Sequence, residues 1–353
     1  MTLLEKLAID VPIFQAPMAG ISTPAMAAAV SNAGALGAIG LGATNADGAG
    51  KMIAAVRERT KRSFHVNVFC HRPAKAKTDV EAAWLEHLRP HFERHGAQPP
   101  QQLREIYRSF VEDDAMFQLL VAEKPTVVSF HFGLPSNEKL AALRSTGITL
   151  LASATNEAEA RIAVDAGVDG VIAQGYEAGG HRGVFDPAAP DDCLGTFALT
   201  RLLVRELQVP VIAAGGIMDG AGIAAALDLG AVAAQLGTAF VGCPESDADA
   251  GYRAALKSDA AHHTVMTRAI SGRPARCLAN EFTQLGSSIS HDRIPDYPIA
   301  YDAGKSLHAA ARSKQQFGFG AQWAGQGAPL ARAMPAGELV KTLAVELKEA
   351  QNH

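Results

Sequence analysis

Two glycine-bearing turns and two histidines carry most of the chemistry available to this 353-residue sequence. Ala214-Gly215-Gly216-Ile217 closes one short apolar run and leads through Asp219 into a helical pattern; Gln235-Leu236-Gly237-Thr238 closes the next. Glycine lets backbone N–H groups approach an anion with no Cβ in the way. A helix N-terminus adds partial positive charge, and a threonine hydroxyl adds a donor. One such turn reads as simple chain reversal. Two, after consecutive runs, read as a phosphate cradle.

His181 stands in Gly175-Tyr176-Glu177-Ala178-Gly179-Gly180-His181-Arg182-Gly183, a loop too glycine-rich and polar for a packed core, and is the leading acid–base candidate. His131 shares a face with Ser129 at the end of another run, where a hydrogen-bonded structural histidine is an equal alternative. Gln15, Asn67 and Gln174 close further runs, and the turn Ala16-Pro17-Met18-Ala19-Gly20 follows Gln15. Amides converging on one mouth suit the donor and acceptor edge of a flavin ring. In the tail, Tyr301 and Lys305 are four apart and share a helical face, with Tyr297 one turn earlier. That face reads either as a solvated amphipathic surface or as a wall for an anion. Trp323 lies in a glycine-rich stretch, 317–327, able to approach a cofactor. No HExxH or comparable spacing argues for a metal.

The elements that must position these groups alternate along the chain. Apolar runs at 11–16, 36–39, 64–68, 126–130, 148–152, 170–174, 210–214 and 231–236 read as buried parallel strands. Helical patterns fall at 24–33, 47–59, 137–145, 157–166, 197–208 and 220–229. Eight such units predict an α/β fold, a closed (β/α)8 TIM barrel, with an open doubly wound sheet as the alternative. The barrel spans 1–240. An insert at about 71–125 follows the third strand, with helices at 84–94 and 102–122. A C-terminal extension, 241–353, closes the barrel and forms a cap or substrate wall, with helices at 250–257, 303–313 and 337–349. Gly34, Gly37, Gly40 and Gly42 mimic a nucleotide fingerprint, but their spacing is wrong and they follow a helix; close packing is the better account.

Hydrophobic residues at 48% and charged residues at 19% describe a globular enzyme rather than a disordered chain. A net charge of −4 leaves no basic face for nucleic acid. No apolar run is long enough for a membrane span. Cys70, Cys193, Cys243 and Cys277 are scattered, as expected of free thiols in a cytoplasmic protein.

The blocks QAPMAGISTPAMAAAVSNAGALG, FHVNVFCHRPA, VVSFHFGLP, QGYEAGGHRG, AAGGIMDG, QLGTAFVGCPES, and IPDYPIAYDAGK with FGFGAQWAGQGA run in order along nearly the whole chain. Together they resemble the class I nitronate monooxygenases, formerly called 2-nitropropane dioxygenases. The resemblance implies FMN, O2 and an alkyl nitronate, with propionate 3-nitronate as the physiological target. The nitronate would give one electron to FMN, and oxygen would complete oxidation to a carbonyl product, nitrite and nitrate, with no nicotinamide consumed. By motif, His181 would be catalytic and His131 would help hold the nitro group. Tyr301 and Lys305 would face the substrate, with Tyr107 and Tyr297 completing the wall. FMN would contact Ala16, Pro17, Met18, Asn67, Gln174, Gly179, Gly180, Gly215, Gly216, Gln235, Leu236, Gly237 and Thr238. A monomer or homodimer is expected. The rivals are an NADH-dependent flavin reductase of a quinone or enoyl thioester on the same barrel, and a non-redox barrel binding a phosphate ligand.

Overall fold

A computed structural model describes residues 1–352. Eight parallel strands are arranged around one axis: β1 Ile13–Gln15, β2 Gly37–Gly40, β3 Phe64–Phe69, β4 Val127–His131, β5 Thr149–Ala154, β6 Gly170–Gln174, β8 Val211–Ala214 and β9 Ala233–Leu236. Each expected apolar run holds one of them. The hydrogen-bonded order is β1-β9-β8-β6-β5-β4-β3-β2. A parallel bridge between Phe14 and Leu36 joins the two ends, with Gln15 N–H donating to the Leu36 carbonyl at 2.9 Å and Leu36 N–H to the Ile13 carbonyl at 2.9 Å. The sheet is therefore closed, as the eightfold alternation predicts, and the doubly wound alternative is set aside.

Burial on both faces explains the strand composition. Phe14, Leu36, Val127, Leu151, Ile172, Ile212 and Ala233 fill the interior, and Leu3 and Leu7 of the N-terminal segment join that core. Other strand residues pack outward against the helices. The glycines near β2 serve this packing: a Cβ on Gly37 would overlap the Ala27 carbonyl of helix Pro24–Asn32. Several helices begin on a polar cap, as where Asn156 accepts from Glu159 N–H and Asp219 from Gly222 N–H.

The insert departs from expectation. Helix Thr78–Arg94 starts earlier than foreseen, and the helix expected at 102–122 shrinks to Asp114–Glu123. Backbone groups before it are committed elsewhere: Phe110 N–H donates to the Phe69 carbonyl at 2.8 Å, and Arg104 N–H to the Asp302 carboxylate at 2.9 Å. Such a segment cannot close i to i−4 bonds. In the tail, helices Ala250–Ala255, Ile299–Ser313 and Ala336–Ala350 match the three expected, the second beginning four residues sooner. Insert and tail share one core, in which Trp84, Leu88 and Phe92 meet Ala300, Ala303 and Leu307. The sequence did not suggest the small antiparallel sheet, order β10-β11-β7, made of β7 Gly180–His181, β10 Thr264–Thr267 and β11 Ala275–Leu278.

Helix Ala336–Ala350 packs on helices Pro24–Asn32 and Gly220–Asp228 and so completes the outer ring. Leu343 lies fully buried in that contact. Leu343→Ala should lower unfolding free energy by about 2–5 kcal/mol in urea titration; a cost near zero would mean that this helix does not support the barrel.

Candidate active site

A cavity of about 1290 Å³, counting its open mouth, sits where the strands end. Ala16, Pro17, Met18, Asn67, Gln174, Gly179, Gly180, Gly215, Gly216, Gln235, Gly237 and Thr238 line it, together with Tyr107, His131, His181, Tyr297 and Tyr301. Leu236 does not. Side chains alternate along β9, so Gln235 faces in while Leu236 packs outward, 1% exposed, and its carbonyl accepts from Ala16 N–H at 2.8 Å. Any contact of Leu236 with a cofactor would therefore be through its backbone, between Gln235 and Gly237.

The two glycine turns stand side by side at one end of this space, because β8 and β9 are neighbours in the sheet. Gly215 and Gly216 take φ values of +125° and +71°, a region that other residues enter only with strain. Thr196 Oγ1 donates to the Gly215 carbonyl at 2.9 Å. Because C=O and N–H of one peptide point in opposite directions, the Gly216 N–H turns away from Thr196. Among the described residues no acceptor is present for the N–H groups of Gly216, Gly237 or Thr238. Thr238 Oγ1 accepts from Gly325 N–H at 3.0 Å, leaving its own proton free to donate. Helix Gly220–Asp228 follows directly. These are the features an anion requires.

The amides divide into two groups. Gln174 was expected at a ring edge, but its Nε2 donates to the His181 carbonyl at 3.0 Å and its Oε1 accepts from Gly183 N–H at 2.7 Å. Gln15 is likewise engaged, with Ser22 and Ala38. Both brace the backbone, and Gln174, which lines the cavity, keeps its second Nε2 hydrogen for a ring edge. Asn67 donates through Nδ2 to Ser129 Oγ at 2.8 Å, which leaves Oδ1 without a protein partner, and Gln235 Oε1 is buried with none. Those two amides fit a polar ring edge.

His181 is held from three sides. Its carbonyl accepts from Gln174 and from His131 Nε2 at 3.1 Å, and its own Nε2 lies 2.9 Å from Ser271 Oγ. Its Nδ1 has no protein partner, and the residue lines the cavity. His131 Nδ1 meets Ser153 Oγ at 3.0 Å, so both nitrogens of His131 are taken. Direct contact of His131 with a nitro group would require one of those bonds to be given up. The neighbouring Arg182 is buried, not a loop cation: it pairs with Asp191 at 2.8 Å and donates to the Gln174 carbonyl. Burial, then the neighbouring His131 and Arg273, pulls the His181 pKa down to about 3. Burial brings His131 to about 4, and His65 and His71 to about 3.

Aromatic rings form the opposite wall. Tyr301 Oη accepts from Trp323 Nε1 at 3.2 Å, and the Trp323 ring lies 5.1 Å from that of His181. The Tyr297 hydroxyl is buried without a partner. Burial raises the phenols of Tyr107, Tyr297 and Tyr301, the last to about 12, so they remain donors at neutral pH. Lys305 stands outside the cavity lining, its Nζ 5.0 Å from the Tyr107 ring and 5.4 Å from the Tyr301 ring. Sequence reasoning missed Ser153, Tyr252 and Ser271. Extending the fifth run by one residue would have reached Ser153; nothing local marks the other two.

A closed α/β barrel with an anion cradle, a neutral histidine and an aromatic wall at its mouth defines a barrel protein with a ligand site at the C-terminal ends of its strands. The family described as nitronate monooxygenase matches residues 1–346. A nitronate monooxygenase from Paraburkholderia phytofirmans is 62% identical over 348 residues, covering 99% of this chain and 95% of that protein. One from Pseudomonas aeruginosa is 52% identical, covering 97% of each. Among solved structures, nitroalkane oxidase from Streptomyces ansochromogenes superimposes with a TM-score of 0.91 at 40% identity, covering 99% of both chains. FabK from Thermotoga maritima gives 0.75 at 30% identity, covering 99% of this chain and 96% of that one. The chain belongs to the nitronate monooxygenase family, whose members are flavin-dependent.

The buried imidazoles have a consequence for stability. An unfolded histidine titrates near 6.5, whereas His65, His71, His131 and His181 stay neutral in the fold down to about 3–4. Their contribution is complete above pH 6.5 and is lost as pH falls, because the unfolded chain binds the protons first. Between pH 6.5 and 5, before most carboxylates titrate, stability should fall by up to about 1.4 kcal/mol per pH unit per histidine. Urea midpoints at pH 7.5 and 5.5 measure this; equal midpoints would show that the imidazoles are not held neutral.

Proposed function

We propose that this protein is an FMN-dependent nitronate monooxygenase that uses O2 to oxidise alkyl nitronates, propionate 3-nitronate foremost, to a carbonyl product with nitrite and nitrate, and without NAD(P)H. The observation that carries the reading is one cavity with unpaired N–H groups of Gly216, Gly237 and Thr238 at one end and the open Nδ1 of His181 at the other. The cradle would hold the FMN phosphate, and Asn67 and Gln235 would meet the ring edge. Met18 and the Gly179–Gly180 backbone would line the ring. Bound there, FMN supplies the acceptor for the substrate's electrons and the site at which dioxygen reacts.

The remaining work falls to this chain's own side chains. His181 presents Nδ1 to the nitronate group, while His131 and Gln174 fix the loop that carries it. The Tyr107 and Tyr301 phenols would take the distal carboxylate of propionate 3-nitronate, and Lys305, set beside them, would swing in or act through its charge to bind it. Trp323 and Tyr297 limit water at the reacting carbon. Residues 1–240 would act as the cofactor-binding barrel and 241–353 as the extension that walls the substrate site. A cytoplasmic monomer or homodimer fits the four unpaired cysteines and the lack, among the described residues, of any helix long and apolar enough to cross a membrane.

Oxygen uptake with propionate 3-nitronate in the absence of NADH tests the reading directly. Rapid anaerobic bleaching of the flavin by NADH would favour the reductase instead. His181→Asn should retain FMN and lower kcat/KM for the nitronate by about 100-fold or more; unchanged kinetics would remove His181 from the catalytic role. Lys305→Met should raise KM for propionate 3-nitronate about tenfold or more while affecting propyl-1-nitronate far less. Equal effects on the two substrates would mean that Lys305 does not bind a carboxylate.

A further inference from the structure

Behind His181 lies a positive charge with no acid paired to it; the nearby Asp296 acts on it only at a distance. Arg273 is 2% exposed. Its guanidinium stacks on Phe132 with Cζ 4.3 Å from the ring centre, one nitrogen donates to the Val184 carbonyl, and Nε has no partner. No carboxylate lies within ion-pair distance of it among the described residues. Asp296, on the adjoining segment, is tied to Arg72 at 3.2 Å and to the N–H of Lys75 at 3.1 Å.

Arginine is almost never fully buried unless paired, and an isolated buried charge is costly. An apolar side chain would fill the space against Phe132 without that penalty. The imidazoles nearby add no charge of either sign, because burial holds His71, His131 and His181 neutral. Arg268, the next cation on this segment, is also bound only to a carbonyl, that of Pro187. The local excess is therefore positive, and the counter-charge has to arrive with a ligand.

We infer that Arg273 is a specificity-determining residue, whose buried and acid-free guanidinium makes the cavity prefer an anionic ligand over a neutral one of the same shape. In the functional reading above, that anion is the nitronate group. Phe132 is the spacer: its ring centre lies 5.7 Å from that of His181 and 5.4 Å from that of Tyr297, so the charge acts across one ring without touching substrate. Those spacings put the guanidinium within about 10 Å of the His181 ring, where a unit charge at an effective dielectric of about 20 changes anion affinity about tenfold.

Propionate and propionamide share a shape and differ in charge, and calorimetric titration of the FMN-loaded protein reads their affinities without turnover. Wild type should bind propionate more tightly. Arg273→Met should weaken propionate about tenfold and leave propionamide within about twofold, while Arg273→Lys should restore most of the loss. Parallel losses for both ligands, no loss for either, or a wild type without preference would overturn the inference. Oxygen uptake with the nitronate is scored separately, so failure of the activity and failure of the charge preference give different results.

Discussion

The carbonyl oxygen of His181 ties the candidate site together. Two donors from different strands converge on it, Gln174 Nε2 from β6 and His131 Nε2 from β4. Gln174 also holds Gly183 N–H, so a single amide grips the loop on both sides of the histidine. Across the loop, β7 pairs with β11, and Arg182 N–H donates to the Pro274 carbonyl at 2.9 Å. The imidazole thus rides on a segment fixed by the barrel on one side and by the C-terminal extension on the other. Few backbone freedoms remain, which is what a group held against a cofactor requires.

The electrostatics follow from the same enclosure. Burial drives the imidazoles to their neutral forms and the phenols to their protonated forms, so the walls are dipoles rather than ions. At the histidine end the charges are cations set back from the cavity, Lys305 beside the phenols and Arg273 behind Phe132, while the Glu177 carboxylate near the cradle is bound to Thr196. Arg182, which could have added another, is neutralised by Asp191. A site so built offers positive potential without a competing carboxylate at the reacting carbon. That suits an anionic substrate and leaves no strong base to divert its protons.

How much could be read from the sequence depended on whether the cause was local. The eight strands were legible because covering both faces forces continuous apolar runs, and the cradle because glycine takes φ values such as that of Gly216 without strain. The 102–113 segment misled because Leu103, Ile106, Tyr107 and Phe110 carry apolar side chains at helix-like spacing, yet its N–H groups are drawn to β3 and to Asp302. Strand β7 has two residues and a partner far along the chain, so it leaves no periodic trace. The bracing role of Gln174 left no trace in the sequence, since it depends on Gly183 folding back over the amide. Arg273 gave no signal at all: an arginine in a polar stretch reads as surface until the fold closes over it.

Several features of the site run against stability. Phe132 adopts φ +75°, a left-handed conformation that a bulky residue rarely takes. Both nitrogens of His71, the Tyr297 hydroxyl and Gln235 Oε1 are buried without protein partners, and each such group costs about 1–3 kcal/mol unless water or ligand meets it. These liabilities gather at one end of the barrel, while the interior core from Leu3 to Ile212 and the helix layers are built mainly of apolar contacts. Closing the sheet makes that division possible, because every strand is paired on both sides and the loops beyond it can carry strain without opening an edge. Filling the cavity would satisfy Gln235 and the cradle together, so cofactor binding should tighten the part of the fold that the apolar core stabilises least.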